Sequence, residues 1–481
     1  MRKSISKNYL YNLTFELITI VVPLLLAPYL TRTLTAERLG TYSYANSIAN
    51  YFLLFCALGF SISGSREIAR SRNNQTDINT IFSKNFFSQC LSSLLSFTAY
   101  ILFCIISKAD VLYYALSLIV LSGFFNISWL YSGLENFKFI SIVNSFFKIT
   151  TAILTILLVK DSNDLMFYTL IMSGGIFGTN FLFFVFHRKA AKIVKVPPRE
   201  IVLAFKKALV LFIPVVASSV YKLMDKIMIG AITNDMIGVS NYYYAEQLLN
   251  IPSGIIIALS SVMLPHMSYA VKNESNEYVN QTARTVMMFT NFANCLITFG
   301  LLGVSTKFVP LYLGNEYINC SHYIVFLSIS NLFIGWTAMI RTMFLIPKKK
   351  DVIYIISVVA GAILNICLNF ALIKFIGIPG AILATILSEA LVSIIQTVAC
   401  RKYCKIGLFL FDSFPFLLIG IAMAGLCYYV GQQNPDSLLT IVKQVVVGGS
   451  LYLLVSVFYL SIFKKEQYKM LLSFLRKNKN V

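Results

Sequence analysis

Leu10-Tyr-Asn-Leu-Thr-Phe-Glu-Leu-Ile-Thr-Ile-Val-Val-Pro-Leu-Leu-Leu-Ala-Pro-Tyr-Leu30 carries a single charge, Glu16, over 21 residues. Wound as an α-helix at about 1.5 Å per residue, it is roughly as long as the ~30 Å hydrocarbon core of a bilayer is thick. The basic segment ahead of it, Met1-Arg-Lys-Ser-Ile-Ser-Lys7, has the charge of a signal peptide. The apolar run, however, is a full span long, holds Pro23 and Pro28, and lacks a clear small-residue cleavage site. It reads as a retained first helix. Thirteen further runs of similar character follow, at 42–64, 82–107, 111–132, 140–159, 165–186, 208–232, 242–265, 285–311, 322–346, 352–373, 377–400, 408–430 and 440–463.

Composition says the same for the whole chain. Of 481 residues, 57% are hydrophobic and only 12% are Asp, Glu, Lys or Arg, about half the charge of an ordinary soluble domain. The fold class expected is an all-α polytopic membrane protein of about 14 transmembrane helices. The net charge of +20 would suggest nucleic acid in a soluble chain, but cytoplasmic loops of membrane proteins collect Lys and Arg. With both termini cytoplasmic, the inner segments and adjoining span ends hold 29 bases and nine acids, the outer ones six and seven. The excess charge is therefore a topology signal, and no nucleic-acid partner is expected. The nine cysteines lie mostly in apolar runs and read as small buried hydrophobes. Cys400 and Cys404 lack the second pair that a zinc site requires, so no metal and no cofactor is expected.

The two halves of the chain look alike. Leu34-Thr-Ala-Glu-Arg-Leu-Gly-Thr-Tyr-Ser-Tyr-Ala45 joins spans one and two, and Ile232-Thr-Asn-Asp-Met-Ile-Gly-Val-Ser-Asn-Tyr-Tyr-Tyr-Ala245 joins spans seven and eight. Gly40 matches Gly238, and both strings end in tyrosines and an alanine. Parallel repeats of this kind build transporters whose lobes expose one central site alternately to either side. The longest connection, 187–207, contains Pro197-Pro198 and a dense basic set. The domain reading is 1–190 as a first six-helix lobe, 191–207 as a basic cytoplasmic linker, and 208–405 as a second six-helix lobe. Residues 406–463 add two further helices, and 464–481 form a basic amphipathic tail on the inner leaflet.

No enzyme signature is present. His187, His266 and His322 fall near span edges with no HxxxH or HExxH pairing, and no P-loop occurs. The informative residues are the ionisable groups within spans, because a charge in hydrocarbon is costly and faces a cavity or a partner. The acids are Glu16, Asp225, Glu246 and Glu389, and the bases Lys148, Lys222, Lys226 and Arg341, with Arg32 at the outer end of span one. Lys443 is close enough to an edge to snorkel. Lys222, Asp225 and Lys226 share a helical face by i, i+3, i+4 spacing. They read either as an internally neutralised pair with one snorkelling lysine or as part of a wet cationic cavity for an anionic head group. Gly174 and Gly178 form a small-xxx-small spacing in span six.

A series of strings carries a resemblance: Pro28-Tyr-Leu-Thr-Arg32, Gly40-Thr-Tyr42, Asn46-Ser-Ile-Ala-Asn-Tyr-Phe52, Gly64-Ser-Arg66-Glu67-Ile-Ala69, Trp129-Leu-Tyr-Ser-Gly133-Leu-Glu135-Asn136-Phe137, Asp225-Lys226 with Gly230, and Pro379-Gly380-Ala381 with Glu389. In this order they resemble the Wzx-type oligosaccharide-lipid flippases of capsule and O-antigen synthesis. Those belong to the multidrug/oligosaccharidyl-lipid/polysaccharide exporter superfamily. The resemblance runs from the N-terminus through span twelve. It implies two six-helix lobes in a V with two extra helices, in the bacterial cytoplasmic membrane. It implies sugars on undecaprenyl pyrophosphate as substrate, moved from the inner to the outer leaflet, with membrane lipids and a polysaccharide polymerase or chain-length machinery as partners. On that reading Lys222, Lys226, Arg32, Lys148 and Arg341 meet the pyrophosphate, and Asp225, Glu246, Glu389 and Glu16 are candidates for ion coupling. A multidrug exporter of the same superfamily is the alternative, although five bases against four acids suit an anion better. A membrane polysaccharide polymerase is a further alternative, although such enzymes tend to carry a long outer loop.

Overall fold

The computed structural model describes residues 2–404, 406–465 and 467, without the side chains of 2–13, 16, 221–222, 251–253, 255–259 and 261–262. Apart from Lys464, Lys465 and Gln467, the amphipathic tail expected at 464–481 lies outside the described residues. Every regular element described is helical. Twelve helical segments among the described residues are long and apolar enough to cross a membrane, and Leu17–Thr33 is a shorter apolar helix. The place expected for span eight is occupied by one long helix, Met236–Asn273. The chain divides into two compact units, Met1–Ser240 and Asn241–Val481.

The first unit contains α1 (Arg2–Thr33), α2 (Ala36–Ala57), α3 (Phe60–Arg70), α4 (Gln75–Ile106), α5 (Val111–Leu121), α6 (Ser128–Gly133), α7 (Phe137–Leu158), α8 (Leu165–Val185), α9 (Pro198–Ser219) and α10 (Asp225–Thr233). Spans two and four, read from the sequence as continuous, are each broken. Span two stops at Leu58, whose φ is +39°, and resumes as α3 after Gly59. A Cβ at Gly59 would lie 2.4 Å from the Ala208 carbonyl oxygen, so α9 approaches the break at backbone distance. Span four passes through a 3₁₀ turn, Ser122–Phe125, before α6. The broken ends pack on each other. Gly64 of α3 lies under the Trp129 ring, where a Cβ would come within 2.5 Å, and Gly133 lies under Ile68 at 2.6 Å. The two strings that carry much of the resemblance thus form one knot. Gln89 ties it to α4, accepting from Trp129 Nε1 (2.9 Å) and donating to the carbonyls of Gly123 (2.8 Å) and Asn126 (2.9 Å). Such side-chain bonds satisfy the backbone groups that a broken helix frees within a membrane.

Span seven also packs within this unit. Ser88 donates to the Ile201 carbonyl (2.7 Å), and Glu67 of α3 binds Lys207 of α9 and Lys84 of α4. At the other end, a Cβ on Gly40 would sit 1.7 Å from the Met236 carbonyl oxygen, and one on Gly230 would sit 2.3 Å from the Tyr44 ring. The repeat glycine therefore marks a close helix approach. In span six the small residues facing α7 are Gly175, against Thr151, and Gly178, against Phe147; Gly174 faces open space.

The second unit contains most of α11 (Met236–Asn273), then α12 (Asn276–Leu313), α13 (Ile318–Ile340), α14 (Asp351–Ile376), α15 (Ile378–Cys400), α16 (Ile406–Gln432) and α17 (Leu438–Phe463). The last two helices are integrated into it. Tyr452 is fully buried and donates to the Phe292 carbonyl (2.7 Å), and Gln444 donates to the Cys427 carbonyl (2.8 Å). At the basic end, Asp412 of α16 is buried between Arg284 of α12 and Lys464 beyond α17. Seven of the nine cysteines are buried, and Cys404 Sγ contacts the Cys400 carbonyl.

Candidate functional site

The ionisable residues within the helices divide into those with partners and those without. Lys148 stands at the midpoint of α7, about 15 Å of helix from either end. Ser141, Asn144, Lys148, Thr151 and Thr155 follow one another at i+3 and i+4 steps and form a polar stripe. Ile142, Phe146, Ile149, Ile153, Ile156 and Leu157 cover the rest of the helix surface and are exposed. The stripe faces protein: Thr151 lies against Gly175 of α8, and Tyr29 of α1 donates to the Val159 carbonyl (2.5 Å) just beyond the end of α7. Thr155, Thr151 and Asn144 bond back to carbonyls of their own helix. The half-buried Lys148 ammonium has no hydrogen-bond or ion-pair partner among the described residues. A lysine stem reaches about 6 Å, too short to snorkel from this depth.

Asp225 and Lys226 open α10 and are nearly inaccessible, at 1% and 5% exposure. Neither is without a partner. The turn before them, Val220–Met224, is a π-helix. The Lys222 side chain, like that of Glu16, lies outside the described residues. A second π-turn, Arg341–Leu345, begins at another candidate cation. Single π-turns within helices occur frequently at functional sites. Arg341 Nη1 donates to the Tyr354 hydroxyl (3.3 Å), and its guanidinium lies over that ring at 5.2 Å. Arg32 is exposed in the last turn of α1, where a cation complements the helix dipole.

Among the acids, Glu246 is half-buried on α11 and partnered. Glu389 sits at the midpoint of α15, half-buried, with no hydrogen-bond or ion-pair partner among the described residues. Lys148 and Glu389 are thus unpaired mid-helix ionisable groups, one in each unit. The candidates do not form one cluster. In the first unit, Lys148 and Arg32 lie on the packed pair α1–α7, separated by about 20 Å along the axis, while Asp225 and Lys226 lie on α10 against α2. His187 is a packing residue, stacked on Phe82 and Phe184, and Lys443 donates to Asn434 near the end of its span. The stripe around Lys148 was readable in the sequence from its heptad-like spacing. The π-turns were not, since no residue type marks them.

Comparison with known proteins places this polytopic helical chain. Residues 5–271 match the family model described as polysaccharide biosynthesis protein. The chain belongs to this family. A Shigella dysenteriae protein provisionally named an O-antigen transporter is 26% identical over 387 residues, 79% of this chain and 96% of that protein. An Escherichia coli K12 protein of the same provisional name is 21% identical over 414 residues, covering 83% and 97%. Among solved structures, the lipid II flippase MurJ in an inward closed conformation superposes with a TM-score of 0.76 at 16% identity, over 95% of this chain and 99% of that one. An inward-facing multidrug transporter of the MATE family gives 0.58 at 12%, over 76% and 92%. At such identities these likenesses establish a shared fold. Several residues of the strings that carry the resemblance are packing devices: Gly40, Gly64, Trp129, Gly133 and Gly230 hold helices at close range.

Proposed function

We propose that this polysaccharide biosynthesis protein is a flippase. It moves oligosaccharide repeat units on undecaprenyl pyrophosphate from the inner to the outer leaflet of the bacterial cytoplasmic membrane, by alternating access. The observation that carries the reading is Lys148, a mid-span cation on a polar stripe with no partner among the described residues. A pyrophosphate crossing hydrocarbon needs cations to replace its water, and charge-assisted hydrogen bonds are the strong ones. The names of the relatives support this cargo over the cations handled by multidrug exporters. In this reading both termini are cytoplasmic, and the product is handed to a polymerase on the outer face. Lys226, Lys222 and Arg32 are further candidate contacts for the head group in the first unit, and Arg341 is one in the second.

Replacing Lys222 and Lys226 together by alanine is expected to abolish surface polysaccharide while lipid-linked repeat units accumulate, and arginine at both positions is expected to restore export. Intact export in the well-expressed alanine variant would contradict the role of these lysines.

Coupling to an ion gradient is assigned foremost to Glu389, since an unpaired carboxylate at mid-membrane can take up and release a proton, whereas Asp225 and Glu246 are engaged. Glu389→Gln is expected to leave transport insensitive to a proton gradient imposed across reconstituted vesicles. A Glu389→Gln protein that responds to the gradient as the parent does would remove Glu389 from coupling.

A further inference from the structure

The second unit contains a groove that the transport reading does not use. It has a volume of about 470 Å³ and runs between α12, α13, α15 and α16, within the roughly 300–1,000 Å³ of ligand sites. Its walls include Phe333, Ile394, Leu410 and Phe414, of which the last three are exposed. The polar groups along it are largely satisfied: Asn291 donates to Ser413 (2.7 Å) and Trp336 Nε1 donates to Thr397 (2.8 Å). The floor therefore offers little to a polar ligand.

The rim is different. Arg401, which follows the last residue of α15, lines the mouth, is exposed, and makes no side-chain hydrogen bond or ion pair with a described residue. Lys402 beside it is also exposed. No acidic residue is among the described residues that line the groove. Asp412, adjacent in sequence to the lining Ser413, is held by Arg284 and Lys464 together, so that trio carries a net positive charge. From Arg401 the groove extends along α15 to Ser393, about 12 Å of helix, most of the ~15 Å that one leaflet contributes to the hydrocarbon core.

We propose that this groove binds an anionic glycerophospholipid, with its phosphate on Arg401 and an acyl chain lying between Ile394 and Phe414. A cation at the basic end of a lipid-facing cleft between helices selects an anionic head group, and the apolar floor takes the chain. The placement in the inner leaflet rests on the orientation proposed above; the binding itself does not depend on transport.

The test uses the purified full-length protein in detergent, titrated with phosphatidylglycerol or phosphatidylethanolamine and read by native mass spectrometry. The parent protein is expected to bind phosphatidylglycerol saturably and in preference to phosphatidylethanolamine. Arg401→Gln is expected to weaken phosphatidylglycerol about fivefold, the loss of one basic contact. Ile394→Trp, which fills the groove, is expected to reduce binding of phosphatidylglycerol with the rim charge intact. Arg401 is exposed and unpartnered, so its variant leaves the fold intact, and the proposal can be judged on it even where Ile394→Trp unfolds. Equal binding of both lipids, or unchanged binding by Arg401→Gln, would overturn the proposal. So would displacement of phosphatidylglycerol from the parent by equimolar undecaprenyl pyrophosphate, which would make the groove a seat for the transported lipid.

Discussion

Lys148→Met is expected to lower export of surface polysaccharide by tenfold or more while raising the thermal stability of the purified protein. The two effects have one cause. An ammonium held at mid-membrane without a partner is a cost to the folded state, and methionine is close to lysine in shape without the charge. A lysine kept for structure would behave in the opposite way, since its removal would break contacts and lower stability. A charge-assisted bond to a pyrophosphate contributes about 1.5–3 kcal/mol, which corresponds to roughly 10–150-fold in rate when the bond forms in the translocating state. Thermal unfolding and quantitation of surface polysaccharide on matched expression decide it. Reduced stability with unaltered export would assign Lys148 to packing.

Gly40→Ala is expected to remove most folded protein from the membrane. The added methyl would sit 1.7 Å from the Met236 carbonyl oxygen and 2.5 Å from its carbon, against backbone that cannot move as a side-chain tip can. The cost exceeds the ~1–3 kcal/mol of ordinary overpacking. Gly174→Ala is the matched control, since nothing lies within 4 Å of its Cβ position, and alanine there gains up to about 1 kcal/mol of helix propensity. Detergent-extracted yield by size-exclusion chromatography compares them. Equal yields of the two variants would contradict the close approach at Gly40.

These two residues also mark how far the sequence could be read. Hydrophobic length places each expected span on one helix or on two in succession, because a bilayer imposes one length and a helical hydrogen-bonding solution on such a chain. Gly40 was legible as a repeat landmark but not as a contact, since close approach needs the partner backbone, nearly two hundred residues away. The breaks at Leu58–Gly59 and Ser122–Phe125 escaped because both spans stay apolar through them. Their freed carbonyls are answered by distant side chains such as Gln89 and Ser92, the latter donating to the Cys56 carbonyl (2.8 Å). Intramembrane charge flagged Lys148, Glu389, Asp225 and Lys226 alike. Only the packed structure separates the first two from the partnered pair, because the difference lies in what faces each group.

The claim that the protein flips a lipid-linked oligosaccharide is tested most directly in vesicles. Purified protein is reconstituted with a fluorescent oligosaccharide on undecaprenyl pyrophosphate, and a membrane-impermeant quencher or glycosidase reports the leaflet that the sugars occupy. Protein-containing vesicles are expected to bring the inner-leaflet sugars to the outer face, and vesicles holding the Lys148→Met protein to do so at one tenth the rate or less. Equal exposure in vesicles with and without the folded protein would contradict the account.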